Sequence, residues 1–244
     1  MHRPADDAVV PCVAYFHGGG WTRGSRKDSV QPRLEALAAQ GLGICSVSYR
    51  FSDVATYPAQ LEDGRAAVAW LRQNGAEYGL RSERVGAWGA SAGGWIALML
   101  ALTGDQPADR VNAACAWFPP TELATVSIER EAAGLPLPLF MQGRPLADNE
   151  AELLGVASVD QDLALAREAS PLTHAAAANG PVLLIHGSSD GMINVAQSLA
   201  LHAALLEAGQ DSQLLVLPGA NHEDDAFHKP AVLAATAGFL RALL

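Results

Sequence analysis

Residues 84–102 read RVGAWGASAGGWIALMLAL. The stretch 84–88 has the apolar character of a buried strand, and 92–103 that of a helix, with Gly104 where a C-cap belongs. Between them stand Gly89, Ala90, Ser91, Ala92 and Gly93, a GxSxG run in strand-turn-helix context. A turn so sharp needs small residues beside the serine, and it lifts the Ser91 oxygen to the N-terminus of a helix whose dipole favours developing negative charge. In that context Ser91 is the expected nucleophile rather than an ordinary turn serine.

Working outward, runs rich in Val, Ile and aromatic residues recur at 12–16, 43–49, 111–118, 182–185 and 213–217, and read as further buried strands. Helical stretches at 32–40, 59–78 and 195–208 alternate with them, Gly41 and Gly209 standing at C-cap positions, and a last helix starts at Pro230. In the second of these, Leu61, Val68 and Leu71 share a face while Glu62, Arg65 and Arg72 point away. This alternation forces a mostly parallel sheet with right-handed crossovers and helices on both faces, an α/β fold whose chemistry sits beyond the strands' carboxyl ends. Residues 119–171 break the rhythm. They carry no strand signal but hold a Pro-rich apolar patch, GLPLPLFM at 134–141, read as a lid or pocket wall in preference to a plain surface excursion.

The run His17-Gly18-Gly19-Gly20-Trp21 follows the first strand. Consecutive glycines let backbone N–H groups face a ligand, so Gly19 and Gly20, with Ala92, are expected oxyanion donors; the spacing fits neither phosphate-binding glycine motif. A serine nucleophile needs a base. His222 lies just past a late strand in LLVLPGANH, with His228 as its rival. Asp190, in LLIHGSSDG, is the expected orienting acid, since it falls between serine and histidine in chain order; Glu223 and Asp224 are alternatives. The acidic run after His222 does not give the i, i+4 histidine spacing of a zinc site, and no metal or cofactor is expected. Trp21, Phe118, Leu137 and Phe140 are the expected lining of an apolar substrate pocket, although Phe118, like Trp95, equally suits core packing.

At 244 residues, with 50% hydrophobic and 17% charged residues, the chain suits one domain, 1–244, carrying a lid or cap-like insertion at about 119–171. A formal net charge of -10 without a basic cluster argues against nucleic acid and favours an uncharged small molecule. The longest apolar run, 95–102, is far short of the roughly 20 residues that cross a bilayer, and the opening MHRPADD lacks an apolar signal core, so no membrane partner is expected. Cys12, Cys45 and Cys115 each sit in an apolar stretch and read as core thiols, in keeping with a cytoplasmic location.

HGGGW at 17–21, the stretch 48–74, GASAGG at 89–94, SPLTH at 170–174, LLIHGSSD at 183–190 and PGANH at 218–222 together resemble the carboxylesterases of the hormone-sensitive-lipase and feruloyl-esterase-like branch. The resemblance covers nearly the whole chain. It implies an α/β-hydrolase fold and a serine carboxylesterase acting on short acyl or aryl esters through an acyl-enzyme. Ser91 would be nucleophile, Asp190 acid, His222 base, and Gly19, Gly20 and Ala92 the oxyanion hole. Two departures stand out. Family members usually have two further strands before the glycine loop, whereas about ten residues precede the first strand here, so the sheet is expected to lack its first two strands and to expose an edge that invites pairing with another chain, as a homodimer or as poor solubility. An acidic run follows His222 where an aromatic or small residue is usual. Two other functions remain open: an arylformamidase or amidase, which would share the glycine loop and GxSxG, and a non-catalytic binding module on the same fold.

Overall fold

The computed structural model describes residues 1–4, 8–104, 106–143 and 147–244. Six strands, β1 (Val10–Phe16), β2 (Gly43–Val47), β3 (Leu80–Ala90), β4 (Ala113–Trp117), β5 (Val182–Gly187) and β6 (Ser212–Leu217), form one sheet in the order β2-β1-β3-β4-β5-β6. Every neighbouring pair is parallel. The sheet therefore has the expected α/β-hydrolase character, with β2 and β6 at its edges. On the β2 edge, Ile44 exchanges two hydrogen bonds with His2 in an isolated antiparallel bridge.

The helices are α1 (Ala36–Ala38), α2 (Ala59–Asn74), α3 (Ala92–Thr103), α4 (Val126–Ala133), α5 (Asn149–Leu154), α6 (Leu163–Glu168), α7 (Ala196–Glu207) and α8 (Pro230–Leu243). Alternation along β1 divides the core between the two faces of the sheet. Cys12, Ala14 and Phe16 pack with Leu61 and Val68 of α2 and Ile96 of α3, whereas Val13 and Tyr15 pack with Leu37 of α1 and Leu240 of α8. Leu98 and Leu102 of α3 meet Leu201 and Leu205 of α7 over β4 and β5. Residues 92–102 of α3 are buried on every side, as befits a helix apolar all round and enclosed between the sheet and its neighbours. Cys12 and Cys115 are buried, Cys45 is half-buried, and all three are free.

Several boundaries differ from the sequence reading. β3 begins at Leu80 rather than at residue 84, because its first residues pair with Val10 and Pro11 across an irregularity in the register. The stretch 32–40 is a π-helical turn, Val30–Glu35, running into the short α1. The α-helix of 59–78 stops at Asn74 and tightens into a 3₁₀ turn, Gly75–Tyr78. Gly41 and Gly209 adopt the left-handed conformation of a C-cap, but Gly104 does not: its φ is -74°. Residues 119–171 contain no strand among those described, and hold α4, α5 and α6; positions 144–146 of the expected insertion lie outside the described residues. Among the described residues no helix is long and apolar enough to cross a membrane.

The strand order fixes where a ligand can sit. The chain runs outward from β1 to β2, then returns to the other side of β1 for β3, so β1 and β3 diverge at a topological switch point. Residues 17–21 leave the carboxyl end of β1 and Ser91 leaves that of β3, side by side.

Candidate active site

Ser91 occupies the single residue between β3 and α3, with φ 54° and ψ -121°. Its N–H donates to the Trp117 carbonyl at 2.9 Å and its own carbonyl accepts from Trp95 N at 3.0 Å, so both backbone groups are held while the side chain is free to project. The need for glycine on either side is steric. A Cβ at Gly89 would lie 2.1 Å from the Gly93 carbonyl oxygen, and one at Gly93 would lie 2.0 Å from that of Phe16. Only bare backbone lets the helix start this close to both strands.

His222 faces the serine from the loop after β6. Its Nε2 lies 3.1 Å from Ser91 Oγ and its Nδ1 lies 2.8 Å from Asp190 Oδ2. An ionised carboxylate can only accept, so Nδ1 carries the proton and Nε2 is left as the acceptor for the serine hydroxyl. Asp190 is itself fixed: its Oδ1 accepts from the Met192 and Ile193 N–H groups, each at 2.9 Å. Burial works against its charge, but the facing charges and hydrogen bonds of His222 and His186 outweigh that and hold the carboxyl below the usual carboxylate range. Burial likewise depresses His222, yet the Asp190 carboxylate and, more weakly, Glu223 leave its pKa raised. The structure thus brings Ser91, His222 and Asp190 into one hydrogen-bonded row.

His228 is engaged elsewhere, its Nε2 accepting from Arg33 Nε at 3.0 Å. Asp224 caps the 3₁₀ turn Asp225–His228, its Oδ1 accepting from Ala226 N at 2.8 Å. Glu223 is paired with Arg33. Among the described residues no three His, Cys, Asp or Glu side chains gather in a group able to hold a metal.

A cavity of about 420 Å³ opens over Ser91. Gly19, Gly20 and Ala92 line it, and among the described residues none of their N–H groups finds a protein acceptor. The glycine loop is anchored from behind by His17, which stacks on Tyr49 at 4.6 Å between ring centroids while its carbonyl accepts from the Tyr49 hydroxyl at 2.9 Å. Trp21 and Phe140 line the cavity, but Phe118 and Leu137 do not, which corrects the expected lining. Phe118, in the left-handed region at φ 41°, is turned behind the base, where its ring meets His222 at 4.6 Å and Phe227 at 4.5 Å. Leu137 sits between two prolines in a run held against the catalytic loops by the Asn221 amide, which donates to the Pro136 carbonyl at 2.8 Å. Trp95 packs in the core, its indole N–H donating to the Ala169 carbonyl at 2.7 Å.

Three supporting residues, His186, Asn221 and Arg33, escaped the sequence reading. His186, near the end of β5, lies 3.3 Å from Asp190 and spans Ser198 and the Ile193 carbonyl. Asn221 Oδ1 accepts from both Gly191 N, at 3.0 Å, and His222 N, at 2.7 Å, tying the acid loop to the base loop. Arg33 is buried against Trp117, 5.2 Å from the ring centroid, and forms an ion pair with Glu223, whose φ is 57°. The only sequence signals were an Asn directly before the base and an arginine inside an apolar helical stretch.

A family model described as BD-FAE matches residues 1–205. Esterase LipQ of Mycobacterium tuberculosis is 28% identical over 226 residues, 88% of this chain and 51% of that protein. Esterase LipC of the same organism is 30% identical over 223 residues, 88% of this chain and 53% of its own length. The chain thus spans about half the length of these curated relatives. A solved structure of a truncated carbohydrate esterase from gut microbiota superposes with a TM-score of 0.84 at 20% identity, covering 98% of this chain and 87% of that one. Native esterase 2 of Thermogutta terrifontis gives 0.71 at 24% identity, covering 98% and 83%. At these identities the likeness shows a shared fold.

Proposed function

The chain belongs to the BD-FAE family, and from that premise we propose that it is a serine carboxylic ester hydrolase that cleaves short acyl or aryl esters through an acyl-enzyme. The observation that carries the reading is the Ser91–His222–Asp190 row at the floor of a cavity lined by three unpartnered backbone N–H groups. The esterase names of LipQ and LipC support an ester substrate.

In this reading Ser91 Oγ attacks the carbonyl carbon as its proton passes to His222 Nε2, forming a tetrahedral intermediate whose oxyanion is held by the N–H groups of Gly19, Gly20 and Ala92. Asp190 keeps the imidazole in its Nδ1–H tautomer and stabilises the imidazolium. His222 then protonates the leaving alcohol, and the freed base takes a proton from water, whose oxygen attacks the acyl-enzyme to release the acid and restore Ser91. The cavity has room for a small ester.

The test is hydrolysis of p-nitrophenyl butyrate by the chain and by Ser91→Ala, with a formyl anilide run in parallel. We expect ester turnover to fall by about 10⁶ in Ser91→Ala with the melting temperature unchanged. Undiminished turnover in that variant overturns the assignment of Ser91, and faster cleavage of the anilide than of the ester overturns the ester reading.

A further inference from the structure

Arg33 holds a charge in the buried layer beneath His222, a place that costs free energy unless every donor is met. It rides on the π-helical turn Val30–Glu35, and its side chain is 1% exposed. Its Nε donates to His228 Nε2 at 3.0 Å, and its two terminal nitrogens pair with the Glu223 carboxylate. Tyr15 of β1 is a further side-chain partner. The guanidinium lies 5.2 Å from the ring centroid of Trp117 and 6.0 Å from that of Phe118, at the end of β4. One cation therefore ties β1 and β4 to two points on the chain that follows His222.

Stability alone does not account for such a residue, because well-packed apolar residues often replace a buried ion pair without loss. The backbone around it supplies a reason. Among the described residues five non-glycine positions have φ in the left-handed region, and three of them meet Arg33. Ser29, at φ 55°, caps its turn and accepts from Arg33 N at 3.2 Å; Phe118, at φ 41°, and Glu223, at φ 57°, meet its guanidinium. Such conformations persist only where the surroundings over-determine them. Phe118 and Glu223 are also the two that bear on the base, since the Phe118 ring meets His222 at 4.6 Å and Glu223 follows it directly in the chain. An acidic residue after the base departs from the family pattern, so the arrangement is particular to this chain. We propose that Arg33 is a positioning residue: by gripping Glu223 and Phe118 it sets the His222 ring so that Nε2 stays within reach of Ser91 Oγ while Nδ1 stays on Asp190. Its consequence for turnover rests on the ester-hydrolase reading; the placement of the ring does not.

The double variant Arg33→Met/Glu223→Leu separates position from charge. Glu223 raises the pKa of His222 and Arg33 lowers it, so losing both leaves the acid limb of kcat/KM near its place while the grip is gone. With p-nitrophenyl butyrate, kcat should fall by about 100-fold across the pH range and KM should change by less than about threefold, as expected of a base displaced by about 1 Å. A kcat equal to that of wild type, or one restored by raising the pH, overturns the proposal. If the double variant does not fold, Arg33→Lys decides. Lysine keeps the charge beside Glu223 but has neither the planar fork that reaches His228 nor the flat face that lies against the two rings. A kcat lowered about tenfold with the acid limb unmoved supports the proposal, and a wild-type kcat overturns it.

Two further readouts need no ester. Ser91 Oγ displaces fluoride from diisopropyl fluorophosphate as its proton passes to His222, and labelling followed by mass spectrometry should slow by about 100-fold in the double variant. An equal rate overturns the proposal. If wild type neither cleaves nor labels, the reading of Ser91 as nucleophile is what fails, and NMR of the His222 Nδ1 proton shared with Asp190 still decides on Arg33. That signal should shift or disappear in the variant, and a signal identical in the two proteins overturns the proposal.

Discussion

Replacing Glu223 with Gln should strand a buried cation next to His222. The Arg33 side chain is 1% exposed and that of Glu223 28%, so the arginine is the partner with no access to water when the pair is broken. Removing one member of a buried pair costs about 3–5 kcal/mol. Gln keeps one acceptor oxygen, and the Glu223 end opens onto the cavity, so the loss should come to about 2–3 kcal/mol. For a chain of this size that lowers the melting temperature by about 5–10 °C. The double variant Arg33→Met/Glu223→Leu removes both charges and keeps apolar bulk against Trp117, so it should recover most of that loss. Glu223 raises the pKa of His222 and Arg33 lowers it, so Glu223→Gln should also move the acid limb of kcat/KM to lower pH. Urea unfolding of the three proteins and pH profiles with p-nitrophenyl butyrate check both parts. A double variant less stable than Glu223→Gln would refute the reasoning, because buried charge would then not be the source of the loss.

Asp190→Asn should lower kcat by about 10⁴ by losing control of the imidazole tautomer, and should move the acid limb downward because the carboxylate that raises His222 is gone; pH profiles of kcat/KM read both effects. The native Asp190–His222 pair also contributes to stability in a defined window. The Asp190 contribution fades as pH falls through its lowered pKa, and that of His222 fades as pH rises through its raised one, so melting temperatures of wild type and Asp190→Asn should differ most between those limits and the difference should shrink on either side. Trp95→Phe leaves the Ala169 carbonyl unpaired and opens a gap beside Trp21 and Tyr57, which should cost about 2–4 kcal/mol by urea unfolding.

What the sequence disclosed follows the range of the interactions concerned. The 84–102 stretch is legible because its constraints are local: Gly89 and Gly93 must be bare where strand and helix nearly touch, and α3 must be apolar where it is enclosed. Asp190 and His222 could be brought to Ser91 on paper because each follows a strand end on the side of the sheet where ligands sit in such folds. Gly104 misled, since glycine after a helix usually takes the left-handed cap and here the chain leaves in an extended conformation instead. Phe118 and Leu137 misled for a different reason: an apolar residue near the chemistry can face the substrate or brace the loop behind it, and the pattern is the same for both.

The supporting residues were hidden by sequence distance. Arg33 and Glu223 are 190 positions apart, and nothing local to either one points to the other. Glu150 is obscured differently. In NEAELL after Asp148 it has the acidic first turn of a short capped helix, a local role that fully accounts for its presence in the sequence. Only burial makes it costly, and burial is set by the fold around it. The Ser91 end of the cavity is therefore written in local motifs, while its wall is assembled from the loop after β1 and the helices of the 119–171 segment. Substitutions in that wall should alter which ester is chosen before they alter how the bond is broken.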